Sequence, residues 1–339
     1  SSYFLSVNRN KESMTLNFKH PDGRKVLDRL IAEADVIVEN FRPGTLARQN
    51  LDYETVSATH PRLVYCSISG FGQTGPRRSE PGYDAVMQGE GGLMSITGPN
   101  EGTPYRLGVA IADIVSGMFA AYGVAMGLLA RERTGRGQYI DVGMLDSVAA
   151  ILTYQAGICF ATGQAPPRLG NQHPTIVPYE TLAVADGDIV VAVGNDTLFT
   201  KFCEVLETPT LAEDVRFATN KGRVEHQDAL RPLLAERLRT HPRQHWLKAL
   251  KQAGVPCGAV RDLAEVLSDP QLVERMMVLP MTHPNAGAVQ VIGVPVKMSA
   301  SPGAVRTPPP VLGQHTHRIL EKLGYSAADR HALGETGVI

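Results

Sequence analysis

The chain has 339 residues, 33 Lys+Arg against 34 Asp+Glu, and a formal net charge of -1. That balance excludes a basic footprint for nucleic acid and a polybasic membrane face. With 43% hydrophobic and 20% charged residues, it also excludes an intrinsically disordered chain.

At about 100–200 residues per domain, two domains are expected. Cys66, Cys159, Cys203 and Cys257 lie far apart with no C-x-x-C pair, which argues against a disulfide framework and for a reducing compartment. Residues 1–10 are polar and carry no signal or transit peptide pattern. The chain opens without Met on an extended-looking stretch, Ser2 to Val7, so a missing N-terminal part is expected. From Pro21, the residues Val26, Leu27, Leu30, Ile31 and Ala34 recur at helical spacing. Asp35 to Glu39 is a β-branched run closed by Arg42-Pro43-Gly44, and Leu63 to Ser67 is a second strand ending in Gly70-Phe71-Gly72. Helix alternating with strand predicts α/β architecture with a parallel, Rossmann-like sheet.

The run Ile114 to Ala130 has no charge, with Asp113 before it and Arg131-Glu132-Arg133 after it. Its small residues (Gly117, Gly123, Gly127) predict a buried, tightly packed helix rather than a membrane span. Ser147 to Ala165 reads as a second such helix, and Gln138 to Val142 as the strand between them. The expected domains are a large Rossmann-like domain over 1–165, a linker over 166–182 and a smaller α+β domain over 183–283. A second linker, 284–303, leads to C-terminal helices over 304–339 that return to the large domain.

Three phosphate, metal and nucleophile patterns are absent: G-x-x-x-x-G-K-[ST], H-E-x-x-H and G-x-S-x-G. His241 and His245 straddle Pro242 with no third ligand nearby, so no metal site is expected. The residues that carry chemistry are carboxylates beside small residues. Asp113 is a charge at the start of an apolar helix. It is either an N-terminal cap or a carboxylate aimed into a cleft, able to act as base or nucleophile. Asp84 follows Pro81-Gly82-Tyr83, and Gly170-Asn171-Gln172-His173 forms a further glycine-containing loop.

Together these segments are more specific than apart. Asn8 to Ser13, Val38 to Gly44, Gly70 to Pro76, Gly82-Tyr83-Asp84, Gly108 to Asp113 and Thr134 to Gln138 follow one another in order. With Gly254 to Gly258 and Leu312 to Thr316, the chain strongly resembles the family III CoA-transferases over nearly its whole length. The resemblance implies a Rossmann-like large domain, a small domain and two subunits interlocked as rings in a homodimer. Family members begin with a further strand and helix, which normally supply some of the CoA contacts.

Carried over residue by residue, the resemblance makes Asp113 the catalytic aspartate and Asp84 its acidic neighbour. Leu16, Asn17, Phe18, Lys19, Asn40, Phe41, Arg42, Arg48 and Tyr83 become the lining of the CoA site. Gly170, Asn171, Gln172 and His173 look like the glycine loop that covers the reacting aspartate. The implied reaction moves CoA from an acyl-CoA, with succinyl-CoA the expected donor, to a dicarboxylic acid through an aspartyl anhydride and an aspartyl-CoA thioester. Arg106 is either a fork for the substrate's second carboxylate or a surface residue.

No cofactor is expected to be held permanently, since the CoA thioester is a substrate; neither are a metal, nucleic acid or membrane partner. The expected location is cytoplasmic, or the mitochondrial matrix if the missing segment carried a transit peptide. Two alternatives remain: an α-methylacyl-CoA racemase and a non-catalytic CoA-binding subunit. Racemases of this superfamily carry His before the acidic residue, where this chain has Tyr83, a poorer base near neutrality.

Overall fold

The computed structural model describes residues 1–339. Its elements begin with α1 (Ser2–Val7), α2 (Pro21–Glu33), β1 (Val36–Glu39), α3 (Tyr53–Thr59), β2 (Val64–Ser69), α4 (Asp84–Glu90), α5 (Ile111–Thr134) and β3 (Tyr139–Gly143). Next come α6 (Met144–Ala150), α7 (Thr153–Thr162), β4 (Tyr179–Val184), β5 (Gly187–Ala192), α8 (Asp196–Val205), α9 (Thr210–Glu213), α10 (Asn220–Glu225), α11 (Gln227–Leu238), α12 (Arg243–Gln252) and β6 (Cys257–Ala259). The chain ends with α13 (Leu263–Leu267), α14 (Pro270–Glu274), β7 (Val278–His283), β8 (Gly287–Ile292), α15 (Thr316–Lys322) and α16 (Ala327–Glu335). Contacts group it into two compact units, Ser1–Asp35 with Arg261–Ile339, and Val36–Val260.

Within the Val36–Val260 unit, β1, β2 and β3 form a parallel sheet in that order, Ile37 opposite Tyr65 and Tyr65 opposite Tyr139. Side chains alternate between faces. Cys66, Ile68, Ile140 and Val142 pack on one face against Ala120 and Val124 of α5. Tyr65, Ser67, Tyr139 and Asp141 fall on the other. The helix meets the sheet through its smallest residues: Ala112, Ser116, Ala120 and Gly127 are buried. A Cβ on Gly127 would lie 3.2 Å from Val64, and one on Gly123 3.1 Å from Ile140. The opposite stripe is large and uncovered, with Met118 and Tyr122 each 67% exposed and Ile114, Met126 and Leu129 about half exposed. The expectation of a buried, tightly packed helix therefore holds for one side only. By length and composition α5 would be able to cross a membrane.

The second apolar run is not one helix. It breaks at Ile151–Leu152 into α6 and α7, bent by 77°, with Thr153 at a φ of 44°. That left-handed turn interrupts the hydrogen-bond ladder without any Gly or Pro to announce it. Beyond it, β4, β5 and β6 make an antiparallel sheet covered by helices, around a core that includes Ile189, Val191, Phe199, Phe202, Leu234 and Trp246. Buried Glu180 on β4 is neutralised by Arg231 of α11 at 3.1 Å.

In the other unit, Val26 of α2 packs with Leu320, Leu323, Leu333 and Val338. The segment after α1 is tied to the C-terminal part by Asn10 N–H to Thr307 O (3.0 Å) and Asn17 N–H to Val338 O (2.7 Å). The β7–β8 hairpin turns between His283 and Gly287. Ser2 to Val7, expected to be extended, is helical: the Ser1 hydroxyl accepts from Phe4 N–H at 3.3 Å, closing a single short turn that six residues of mixed pattern do not signal.

Candidate functional site

The site is assembled where β2 ends. The backbones of Gly70 and Gly82 touch: a Cβ on Gly82 would sit 2.4 Å from Gly70 Cα, and one on Gly70 2.7 Å from Gly82 Cα. Only glycine permits this approach. It sets the start of α4 against the sheet, and Leu145 N–H donates to Gly70 O at 2.9 Å, bringing in the start of α6. Met87 then locks α4 into a buried cluster with Ala112, Met144 and Val148.

This packing delivers Asp84 to the N-terminus of α5. The cap position there is Ala110, whose side chain offers no acceptor. Asp84 supplies one from the neighbouring helix, its Oδ1 accepting from Ala112 N–H at 2.8 Å. The capping task thus falls to Asp84 and not to Asp113. Asp113 lies in the first turn of α5, exposed, with no hydrogen bond or ion pair. Partial burial pushes its carboxyl above the usual range, and the negative charge of Asp84 adds to the rise.

A residue that sequence reasoning missed completes the group. Gln88, fully buried on α4, gives Nε2–H to Asp84 Oδ2 (2.8 Å) and to Val109 O (3.4 Å), while its Oε1 accepts from Leu107 N–H (2.8 Å). Its signal was available, since Asp84 and Gln88 stand four apart on one helix face. Arg106, next to this network, is exposed and bonds only to Leu107 O, at 3.3 Å.

The loop Gly170 to His173 is bound to the turn near residue 100. Gly170 N–H donates to Gly98 O at 2.9 Å, and the Arg168 guanidinium donates to Pro99 O (2.9 Å) and Gly102 O (2.8 Å). Gln172 N–H is taken by Leu169 O and His173 N–H by Tyr179 O, which leaves Asn171 N–H as the loop's open backbone donor. The His173 ring is stacked between Tyr154 and Tyr179, and its Nδ1 accepts from Thr175 N–H at 3.2 Å. None of the loop's hydrogen bonds reaches Asp113 or Asp84.

Among the expected CoA contacts, Asn40, Phe41 and Arg42 lie in the loop after β1, and Arg48 on the short 3-10 turn Ala47–Gln49 that follows it. Asn40 Nδ2–H donates to Ile68 O (2.6 Å) and Phe41 N–H to Glu39 (2.8 Å), holding the loop across the sheet's end. The Arg48 guanidinium meets only Thr45 Oγ1 (3.2 Å), and Arg42 makes no ion pair. Arg42 borders a cavity of about 320 Å³ whose walls include Glu39, Asp52, Tyr53, Tyr65 and Tyr139. Burial pushes the Tyr65 phenol up, keeping it a neutral donor to Leu51 O at 2.7 Å. Tyr83 is 73% exposed beside Asp84. Leu16, Asn17, Phe18 and Lys19 belong to the other compact unit, where Asn17 and Lys19 are exposed.

The chain is thus a mixed α/β protein that presents an unbonded carboxylate at a helix start, with a second carboxylate fixed beside it. Residues 1–316 match CoA-transferase family III, and the chain belongs to that family. It is similar to the succinyl-CoA:glutarate CoA-transferase of Mus musculus, 40% identical over 340 residues, covering 100% of this chain and 78% of the relative. The acetyl-CoA:oxalate CoA-transferase of Acetobacter aceti is 42% identical over 300 residues, 88% of this chain and 76% of the relative. The crystal structure of a CAIB/BAIF family protein from Brucella suis superposes with a TM-score of 0.86 at 40% identity, covering 95% and 84% of the two chains.

Proposed function

We propose that this CoA-transferase moves CoA from succinyl-CoA to a dicarboxylic acid, with Asp113 as the nucleophile. One observation carries the reading: Asp113 is the exposed, unbonded carboxylate at the start of α5, raised above the usual range by burial and by Asp84. A carboxylate of higher pKa is a stronger nucleophile, and one partly stripped of water gains further from being placed against its target.

In the proposed sequence, Asp113 attacks the succinyl-CoA carbonyl, forming a mixed anhydride and expelling CoA thiolate. The thiolate attacks the aspartyl carbonyl, which releases succinate and leaves an aspartyl-CoA thioester. The acceptor carboxylate attacks that thioester, again expelling thiolate. The thiolate then attacks the acceptor's acyl carbon, giving the new acyl-CoA and regenerating Asp113. Each step exchanges one acyl bond for another, so neither ATP nor metal is required. Asn171 N–H is the backbone donor in the Gly170 loop free to meet a developing oxyanion. Arg42 and Arg48, without acidic partners, suit CoA phosphates, and exposed Arg106 suits the acceptor's second carboxylate. The dicarboxylate class is supported by the named acceptors of the relatives, glutarate and oxalate.

The proton-transfer alternative is poorly served. Both Asp84 oxygens already accept N–H groups, from Ala112 and Gln88, so neither is free to exchange a proton with a substrate carbon. The uncovered stripe of α5 supports a homodimer in which a second copy lies on that face. Incubation with succinyl-CoA and a panel of dicarboxylates, followed by peptide mapping of the CoA adduct, tests the assignment. A CoA mass on the peptide bearing Asp113, abolished in Asp113→Ala, is expected. An adduct elsewhere, or transfer that survives the substitution, would overturn it.

A further inference from the structure

Gln88 is fully buried, and its side-chain amide joins α4 to the irregular segment that leads into α5. The orientation of that amide is fixed by its partners. Leu107 N–H can only donate, so it must face Oε1, and Val109 O can only accept, so it must face Nε2. With both backbone bonds made, the amide's remaining contact is with Asp84 Oδ2 at 2.8 Å. An N–H is thereby aimed at that oxygen, which must accept. Asp84 Oδ1 likewise faces a donor, Ala112 N–H at 2.8 Å. Asp84 is thus clamped between two N–H groups in a single orientation, its Oδ1 holding Ala112, the residue that immediately precedes Asp113 in the first turn of α5.

We infer that Gln88 is a positioning residue of the transfer reaction: through Asp84 and through the backbone of Leu107 and Val109 it fixes where the Asp113 carboxylate points. The inference rests on the reading of Asp113 as nucleophile. It assigns Gln88 no contact with substrate. A buried amide that merely filled the core would not be required to read Asp84 and both flanks of the Leu107–Val109 segment. An apolar side chain of the same length would fill the volume, but leave Leu107 N–H and Val109 O without partners and Asp84 free to rotate.

The test uses the full chain and single-turnover formation of the CoA adduct. Asp113→Ala is measured first: if it still transfers CoA, the nucleophile reading has failed and the inference falls with it. With that established, Gln88→Met is expected to slow adduct formation and kcat by about 10–100-fold. KM for succinyl-CoA should stay within about threefold. A cycle with Asp84→Asn is decisive. If Gln88 acts through Asp84, the double variant loses little more than the worse single variant, whereas independent effects would multiply. Multiplicative losses, or a folded Gln88→Met with wild-type adduct rate, would overturn the inference while leaving Asp113 in place. Should Gln88→Met not fold, Gln88→Asn keeps the amide but withdraws it by one methylene, and the same split between kcat and KM is expected of it.

Discussion

Between Val177 and Val255 the chain closes on itself. Phe199, Phe202, Phe217, Leu230, Leu234, Leu238, Trp246 and Leu250 are each at most 1% exposed, packed between an antiparallel sheet and its helices. Around the parallel sheet the same chain behaves differently, burying small residues of α5 and turning Met118, Tyr122 and Leu129 outward. The first region has a finished core, and the second has an unfinished face beside the acidic pair. Stability and chemistry should therefore respond to different substitutions.

The largest separation is expected from Asp113→Ala. It should lower transfer by at least about a thousandfold, as loss of a covalent nucleophile does, while leaving the unfolding transition near that of the parent. If unfolding shifted strongly instead, Asp113 would belong to the architecture and not to the chemistry. Trp246→Ala is the mirror experiment. It empties a closed site and removes the indole N–H bond to Leu238 O at 2.6 Å, so a loss of about 3–5 kcal/mol is expected in denaturant unfolding. Tyr122→Ala removes a comparable ring from the open face and should cost the monomer under about 0.5 kcal/mol. Sedimentation should then show weakened self-association. Equal destabilisation by the two substitutions would erase the contrast.

What the sequence made legible follows the same division. The β-branched run within Asp35 to Glu39, the apolar start of Leu63 to Ser67 and the period of α2 are local signals, and the corresponding elements form. Asp113 could be placed at a helix start because charge gives way to an apolar run there. Its capping role could not be assigned, because the cap that α5 uses comes from Asp84, twenty-eight residues away along the chain. The open side of α5 was hidden by composition. A helix apolar all round carries no polar face, and only the i, i+4 series Ala112, Ser116, Ala120 distinguishes the side that meets the sheet. β4 escaped notice for a related reason. Its buried Glu180 breaks the alternation that would mark a strand, and Arg231, which makes that burial tolerable, lies on another element.

A smaller effect bears on the open region alone. Arg48 has no acidic partner and bonds only to Thr45. Arg48→Ala should raise KM for the acyl-CoA by about tenfold through loss of one charge-assisted contact, with kcat little changed. A fall in kcat at constant KM would move Arg48 from binding to chemistry.

The smallest effect is the most specific to the acidic pair. The Asp113 carboxyl lies above its usual value of 3.8, first from burial and then from the Asp84 charge. The folded chain therefore holds that proton more tightly than the unfolded chain. Stability from this group is fully present below the usual value and is lost as pH rises through the raised one. At neutral pH the folded state carries the cost of a partly buried carboxylate and, added to it, of repulsion from Asp84. Asp113→Asn should stabilise the chain there by less than about 1 kcal/mol, since the side chain is open enough for solvent to screen much of the repulsion. The gain should disappear as pH falls below the usual carboxylate value, and Asp84→Ala/Asp113→Asn should gain nothing further from relief of repulsion. Thermal unfolding at several pH values reads this directly. A gain independent of pH would mean that neither burial nor Asp84 raises Asp113, and a pH-dependent gain of equal size in the Asp84→Ala background would leave burial as its only cause.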